Sequence, residues 1–245
     1  MELAQWYLLP IAAFLGALAT FFTGFGLNTI LVPVFLWYVE PTLGVFFAGL
    51  VHLANNVLKV SITAKKIDWE LFKSFGLPAL IGAAIGAFLL VQIGGSYSGI
   101  LKPIFGLLFM FFAILEFFNW RFSKFSKSQL NLGGFLSGFF GGFSGHQGAL
   151  RALFLSQLKL DRLLFVATTA LISLFVDLTR IGFYIQNPRL WTAIQWDLIG
   201  LTIFAAFLGT LVGRYLLPQI KNQFFDLLFG LALFSLGLSM LLGWA

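Results

Sequence analysis

The sequence predicts an all-α polytopic membrane protein built from two inverted repeats, each a re-entrant, broken helical hairpin followed by three transmembrane helices. Three observations predict it. Of the 245 residues 60% are hydrophobic, only 10% are charged and 32 are Phe, and the mean hydropathy is +0.96, values far from those of a soluble domain. Two apolar segments are interrupted by glycines in mid-run. The chain also matches itself, in order, from one half to the other.

The elements follow in chain order. Segment 8 to 38 is broken by FFTGFGLN at 21 to 28, so each arm alone reads as too short for a hydrocarbon core roughly 30 Å thick. Uninterrupted spans follow at 42 to 64, 70 to 91 and 100 to 119, and the polar stretch NWRFSKFSKSQLN at 119 to 131 forms a basic linker. The second broken segment, 132 to 157, carries FFGGFSGHQG at 139 to 148 and precedes spans at 163 to 185, 196 to 217 and 224 to 244. The chain therefore divides into a first repeat at 1 to 118, the linker, and a second repeat at 132 to 245. MELAQWYLLP lacks the basic n-region of a cleavable signal and reads as mature sequence. Without Cys there are no disulfides or thiolate metal sites, and no metal or cofactor is expected.

The internal matches carry the repeat. FFTGFG (21 to 26) returns as FFGGFS (139 to 144), Asn56 with Lys59 as Asp177 with Arg180, and IDW (67 to 69) as IQW (194 to 196). GAAIGAFLL (82 to 90) returns as GTLVGRYLL (209 to 217), and IFGLLF (104 to 109) as LFGLAL (228 to 233). The offset stays between 118 and 127.

The cations choose between hairpins and continuous spans. With two hairpins, one face collects Lys65, Lys66, Lys73, Arg121, Lys124, Lys127, Lys159, Arg162, Arg214 and Lys221, and the other keeps only Lys102 and Arg189. Continuous spans divide the same residues almost evenly. The positive-inside rule favours the hairpins, a basic cytoplasmic face and both termini outside a plasma (cell inner) membrane. It also accounts for the net charge of +6 without nucleic acid.

Three cations, Lys59, Arg151 and Arg180, remain inside the predicted membrane segments. A helix broken inside a bilayer leaves backbone N–H and C=O groups that must face protein or a wet cavity. The arms that return from the breaks start near Leu27 and His146, which aims free N–H groups and positive dipole ends at the membrane middle. Two such starts, brought together from opposite faces, form an anion site. Glycines at 24, 26, 141, 142, 145 and 148 permit close backbone approach, although glycine at helix contacts also serves packing. Around the tips lie Asn28, Thr29, Ser144, His146, Gln147 and Arg151, all able to donate hydrogen bonds. Asn56 with Lys59, and Asp177 with Arg180, share helix faces at i, i+3. Arg151 either reaches a midplane anion or pairs with Asp177, and Lys59 and Arg180 either join the site or snorkel. Glu116 reads as interfacial, and His52 alone carries little signal.

Two glycine-rich membrane breaks, each heading a four-segment half, with a basic linker between them, resemble the sulfite exporter TauE/SafE family over essentially the whole chain. GFGLNTILVPVF (24 to 35) looks like the family's break and its proline-containing arm; SGHQGALRALFL (144 to 155) resembles the break but has His146 and Gln147 in place of a glycine-rich run, and Arg151 where the first half has Pro33. The resemblance implies movement of a small sulfur-containing anion, such as sulfite or an organosulfonate, across a bacterial plasma membrane. The expected function is a secondary transporter, with lipid and a small anion as partners and a proton (at His146 or Asp177) or sodium as coupling ion. An anion channel is the alternative. GFSG (142 to 145) is also similar to the nucleophile motif of rhomboid serine proteases, but that chemistry needs a His from a later span, and the only two His are His52 and His146.

Overall fold

The structure, a computed structural model, describes residues 4–23, 26–96, 98–117, 126–155, 158, 160–216 and 222–243. Gly24, Lys159, Lys221 and the linker residues 119–125, with Arg121 and Lys124, lie outside the described residues.

The first half runs α1 (Gln5–Thr23), α2 (Leu27–Tyr38), α3 (Pro41–Thr63) with a 3₁₀ turn at Ala64–Lys66, α4 (Trp69–Leu71), a π turn at Phe72–Gly76, α5 (Leu77–Ser96) and α6 (Ser98–Phe117). The second runs α7 (Lys127–Ser144), α8 (Gly148–Leu155), α9 (Arg162–Tyr184), a short α10 (Pro188–Thr192), α11 (Trp196–Leu216) and α12 (Asn222–Leu241). There is no strand among the described residues. This is an all-α polytopic membrane fold. Residues 41–66, 69–94, 163–184 and 196–216 form helices long and apolar enough to cross a bilayer. Large apolar side chains such as Ile81, Leu107 and Phe204 point outward, whereas Asp177 and Arg180 are fully enclosed. That inversion of the soluble pattern is what a lipid solvent selects.

Local chemistry sets the helix starts. Pro41 opens α3, where its missing N–H costs nothing. Asp68 accepts from Leu71 N at 2.9 Å, and Asp161 from Leu163 N at 3.1 Å. Ser126 and Gln129 form a capping box on α7.

Both interrupted segments fold as antiparallel hairpins. Gln5 and Leu9 of α1 border one cavity with Phe35 and Tyr38 of α2, while at the other end a Cβ on Gly16 would lie 3.0 Å from Leu27 Cα. In the second hairpin Gly141 faces Gln147 near the tip and Gly133 faces the Phe154 ring farther back. The returning arms are short, 12 residues in α2 and 8 in α8. The outgoing arms are longer than the sequence reading allows: α1 has 19 residues and α7 has 18, about 28 and 27 Å at helical rise. Gln5–Tyr7 and the polar turn Lys127–Asn131 join helices whose apolar runs begin later.

Contacts between halves fix the helix directions. Gly209 and Gly213 of α11 lie on the carbonyls of Phe14 and Leu18, so α1 and α11 are parallel. Gly134, Gly138 and Gly142 of α7 lie on the carbonyls of Phe75, Ala79 and Ala83, so α7 is parallel to α5. By contrast α3 and α9 are antiparallel: Phe46 meets Tyr184 with ring centroids 6.1 Å apart, and Asp68 N donates to Thr168 Oγ1 at 2.9 Å. α6 and α12 are antiparallel too, with Gly106 against the Gly237 carbonyl and Gly230 against Phe117. Each half thus packs the outgoing arm of its hairpin on the other half. Lys65, Lys66, Lys73, Lys127 and Arg214 share one end of the bundle, and Lys102 and Arg189 the other.

The glycine seams make the frame sensitive to a single methyl group. Gly138→Val drives a side chain into the Ala79 carbonyl and is expected to cost at least about 1–3 kcal/mol, read as a lower melting temperature in detergent. Gly182→Ala, which meets nothing within 4 Å, is expected to be tolerated.

Candidate functional site

The two breaks require glycine at one position each. Gly26 has φ 140° and Gly145 φ 78°, conformations that L side chains rarely adopt. α2 starts at Leu27 as expected, but α8 starts at Gly148, so His146 and Gln147 lie in unwound backbone between helices. α8 starts two residues later than expected because α7 runs on to Ser144, where Gly145 caps it in the left-handed conformation, its N–H donating to Gly141 O at 3.2 Å.

Carbonyls at the end of α7 and in the break accept from side chains. Gly141 O accepts from Arg180 Nη1 at 3.2 Å, Gly142 O accepts from the Tyr184 hydroxyl, and Gly145 O accepts from Asn28 Nδ2 at 3.2 Å. Ser144 O meets His146 Nδ1 at 2.9 Å, and Gln147 O accepts from Ser137 Oγ at 2.9 Å. The Asn28 bond crosses between halves, so the two hairpin tips touch.

Beside the tips is a small cavity of about 20 Å³, room for roughly one water-sized group. Both helix starts reach it, through Gly26, Asn28 and Thr29 of the first hairpin and Gly145, Gln147, Gly148 and Arg151 of the second. Asn56 and Lys59 of α3 complete the set of predicted residues that line it. Thr20, Thr169 and Ser173 line it as well; sequence reasoning missed them. So does His52, which the sequence reading set aside. Its signal lay in the repeat: His52, Asn56 and Lys59 recur as Ser173, Asp177 and Arg180, a polar ladder at i, i+4, i+7 in both copies.

The cations are unevenly matched. Asp177, fully buried, accepts from Asn56 Nδ2 at 2.9 Å, lies 2.6 Å from His52 Nδ1, and pairs with Arg180 Nη2 at 2.8 Å. The Arg180 contact is a charge pair without hydrogen-bond alignment. Arg151 does not pair with Asp177. It donates to Thr169 O at 3.3 Å and to Ser173 Oγ. Among the described residues no carboxylate lies within ion-pair distance of Arg151 or Lys59, which are 4% and 2% exposed. The Gln147 amide is buried with neither its nitrogen nor its oxygen hydrogen-bonded.

Four predicted residues stand off the cavity. Asp177 and Arg180 lie behind His52 and Asn56 as the charge pair just described. His146 is packed between Phe109 and Phe112, with ring centroids at 4.7 and 5.5 Å. Ser144 Oγ donates to Phe140 O at 3.0 Å, and neither imidazole is bonded to that hydroxyl, so the Ser–His pair that a serine protease needs is not formed.

The family model Sulfite exporter TauE/SafE matches residues 8–240. The chain belongs to the TauE/SafE family. That family is one of membrane transporters of the sulfite and sulfur-anion exporter type, and the match spans both hairpins and the helices after them. Nothing among curated proteins or solved structures matches the chain.

The charge pair gives the test of this subsection. Asp177→Asn leaves Arg180 buried against a neutral amide and is expected to cost about 3–5 kcal/mol. Combining it with Arg180→Gln is expected to restore most of that loss, measured as a double-mutant cycle in denaturant.

Proposed function

We propose that this TauE/SafE protein is a secondary transporter that binds a small sulfur oxyanion or organosulfonate, sulfite-like in shape, between its two hairpin tips. The observation that carries the reading is the buried charge: among the described residues, Lys59, Arg151 and Arg180 against Asp177. An unpaired cation inside a membrane is expensive, and an anion at the cavity relieves two of them at once. Helix-start N–H groups, Asn28, Thr29, the Gln147 amide and Ser173 supply donors for its oxygens.

The helix directions support reading the halves as inverted repeats, with both termini on the outside and the basic end in the cytoplasm. Along α3 and α9 the cavity spans His52 to Lys59 and Val166 to Ser173, on the basic side of the Asp177–Arg180 pair. Beyond that pair Phe46 and Tyr184 close the other side. A cavity of about 20 Å³ is too small for an oxyanion, so loading requires the tips to part. A carrier that opens to one face at a time fits this better than a continuous pore.

Lys59→Gln and Arg151→Gln are each expected to cut uptake of the transported anion into proteoliposomes at least ten-fold, about 1.4 kcal/mol, while the protein stays folded. Sulfite at millimolar concentration is expected to raise the melting temperature of the parent and not of either variant; equal uptake by parent and variants would remove the site. Cysteines placed at 40 and 65 are expected to label from outside and inside respectively.

A further inference from the structure

At the basic end of the bundle a groove of about 360 Å³ runs between the α4–α5 rod and α7. Its polar end is formed by Lys73, Ser74, Lys127 and Asn131, its other end by Leu77, Pro78 and Ile81. From Lys73 to Ile81 is eight residues, about 12 Å of helix, so the groove passes from charge to hydrocarbon within one lipid headgroup's depth. Leu77 and Ile81 face outward, and exposed Trp69 marks the interface beside them.

The polar end is built, not incidental. The backbone takes a π turn at Phe72–Gly76, which carries Lys73 and Ser74. With its amide nitrogen turned inward, Asn131 donates to Ser74 O at 2.5 Å and to Lys127 O at 3.3 Å, tying α7 to that turn. Gly134 on the Phe75 carbonyl forms a close-packed floor. Lys73 comes from the first half and Lys127 from the second, and among the described residues neither has a carboxylate within ion-pair distance. Glu70 borders the same groove, leaving two ammonium groups against one carboxylate, a balance that suits a singly charged phosphodiester better than a phosphate dianion.

We propose that this groove is a binding site for an anionic phospholipid. The phosphodiester sits between Lys73 and Lys127, one acyl chain lies along Leu77, Pro78 and Ile81, and the lipid bridges the two halves at their tightest seam. This site does not depend on the anion cavity.

The purified full-length protein in detergent is titrated with phosphatidylglycerol, phosphatidylcholine or glycerol phosphate, and its melting temperature is followed. Phosphatidylglycerol is expected to raise it saturably by several degrees, and the other two are not. The Lys73→Gln/Lys127→Gln variant is expected to lose the shift while melting as the parent does in phosphatidylcholine; both lysines are exposed and leave the fold unstrained. Lys65→Gln/Lys66→Gln, on the same face but off the groove, is expected to keep it. Equal shifts from phosphatidylglycerol and phosphatidylcholine, a shift from glycerol phosphate alone, or equal losses in both double variants would each overturn the proposal.

Discussion

A helix that stops inside a bilayer must hand its unpaired backbone groups to something else, and in this protein that single constraint organises the middle of the molecule. The end of α7 shows how it is met. Gly141, Gly142 and Gly145 pass their carbonyls to Arg180, Tyr184 and Asn28, side chains that arrive from α9 and from the opposite hairpin. Residues at the starts of α2 and α8 instead line a cavity together with Lys59 and Arg151. Acceptors at this end of α7 are therefore met by protein donors, while Lys59 and Arg151 reach the cavity with no carboxylate within ion-pair distance among the described residues.

Holding two elbows in contact needs a stiff frame, and the glycine seams supply it. On α5 and α7 backbone meets backbone at Gly134, Gly138 and Gly142, and from the other side at Gly82 and Gly86; α1 and α11 do the same at Gly209 and Gly213. Without a hydrophobic drive between helices in lipid, such close approach is what gains packing energy. Because these seams join opposite halves, motion of one half against the other must rotate or slide along them.

Much of this was legible in the sequence. The glycine breaks, four of the six spans, the contact of the two tips and the buried cations follow from patterns that membrane physics enforces locally or by symmetry. Less legible was the partition of the polar residues. Ser144 and His146 look as well placed as Gln147, but α8 starts at Gly148 and not near His146, which leaves His146 against Phe109 and Phe112 and Gln147 on the cavity. His52 carries little signal in the sequence because its partner Asp177 is 125 positions away, a distance that the packing of α3 on α9 closes. The lengths of α1 and α7 were underestimated because polar first turns joined apolar helices.

The repeat-related cations Lys59 and Arg180 show why the two halves are not interchangeable. Arg180 acts at two points of its fork: Nη2 reaches Asp177 at 2.8 Å and Nη1 reaches the Gly141 carbonyl at 3.2 Å, so one rigid group locks α9 to the hairpin tip. A lysine has a single ammonium and cannot span both. Lys59, in the matching position on α3, is a compact ammonium on a flexible stem that lines the cavity with no carboxylate within ion-pair distance among the described residues. The divergence from Asn56 to Asp177 goes with it, since the copy that carries the fixed guanidinium has the buried Asp177 carboxylate to balance it. The three matched ladder positions thus carry different residues, a latch on α9 and, on α3, a lysine that faces the cavity.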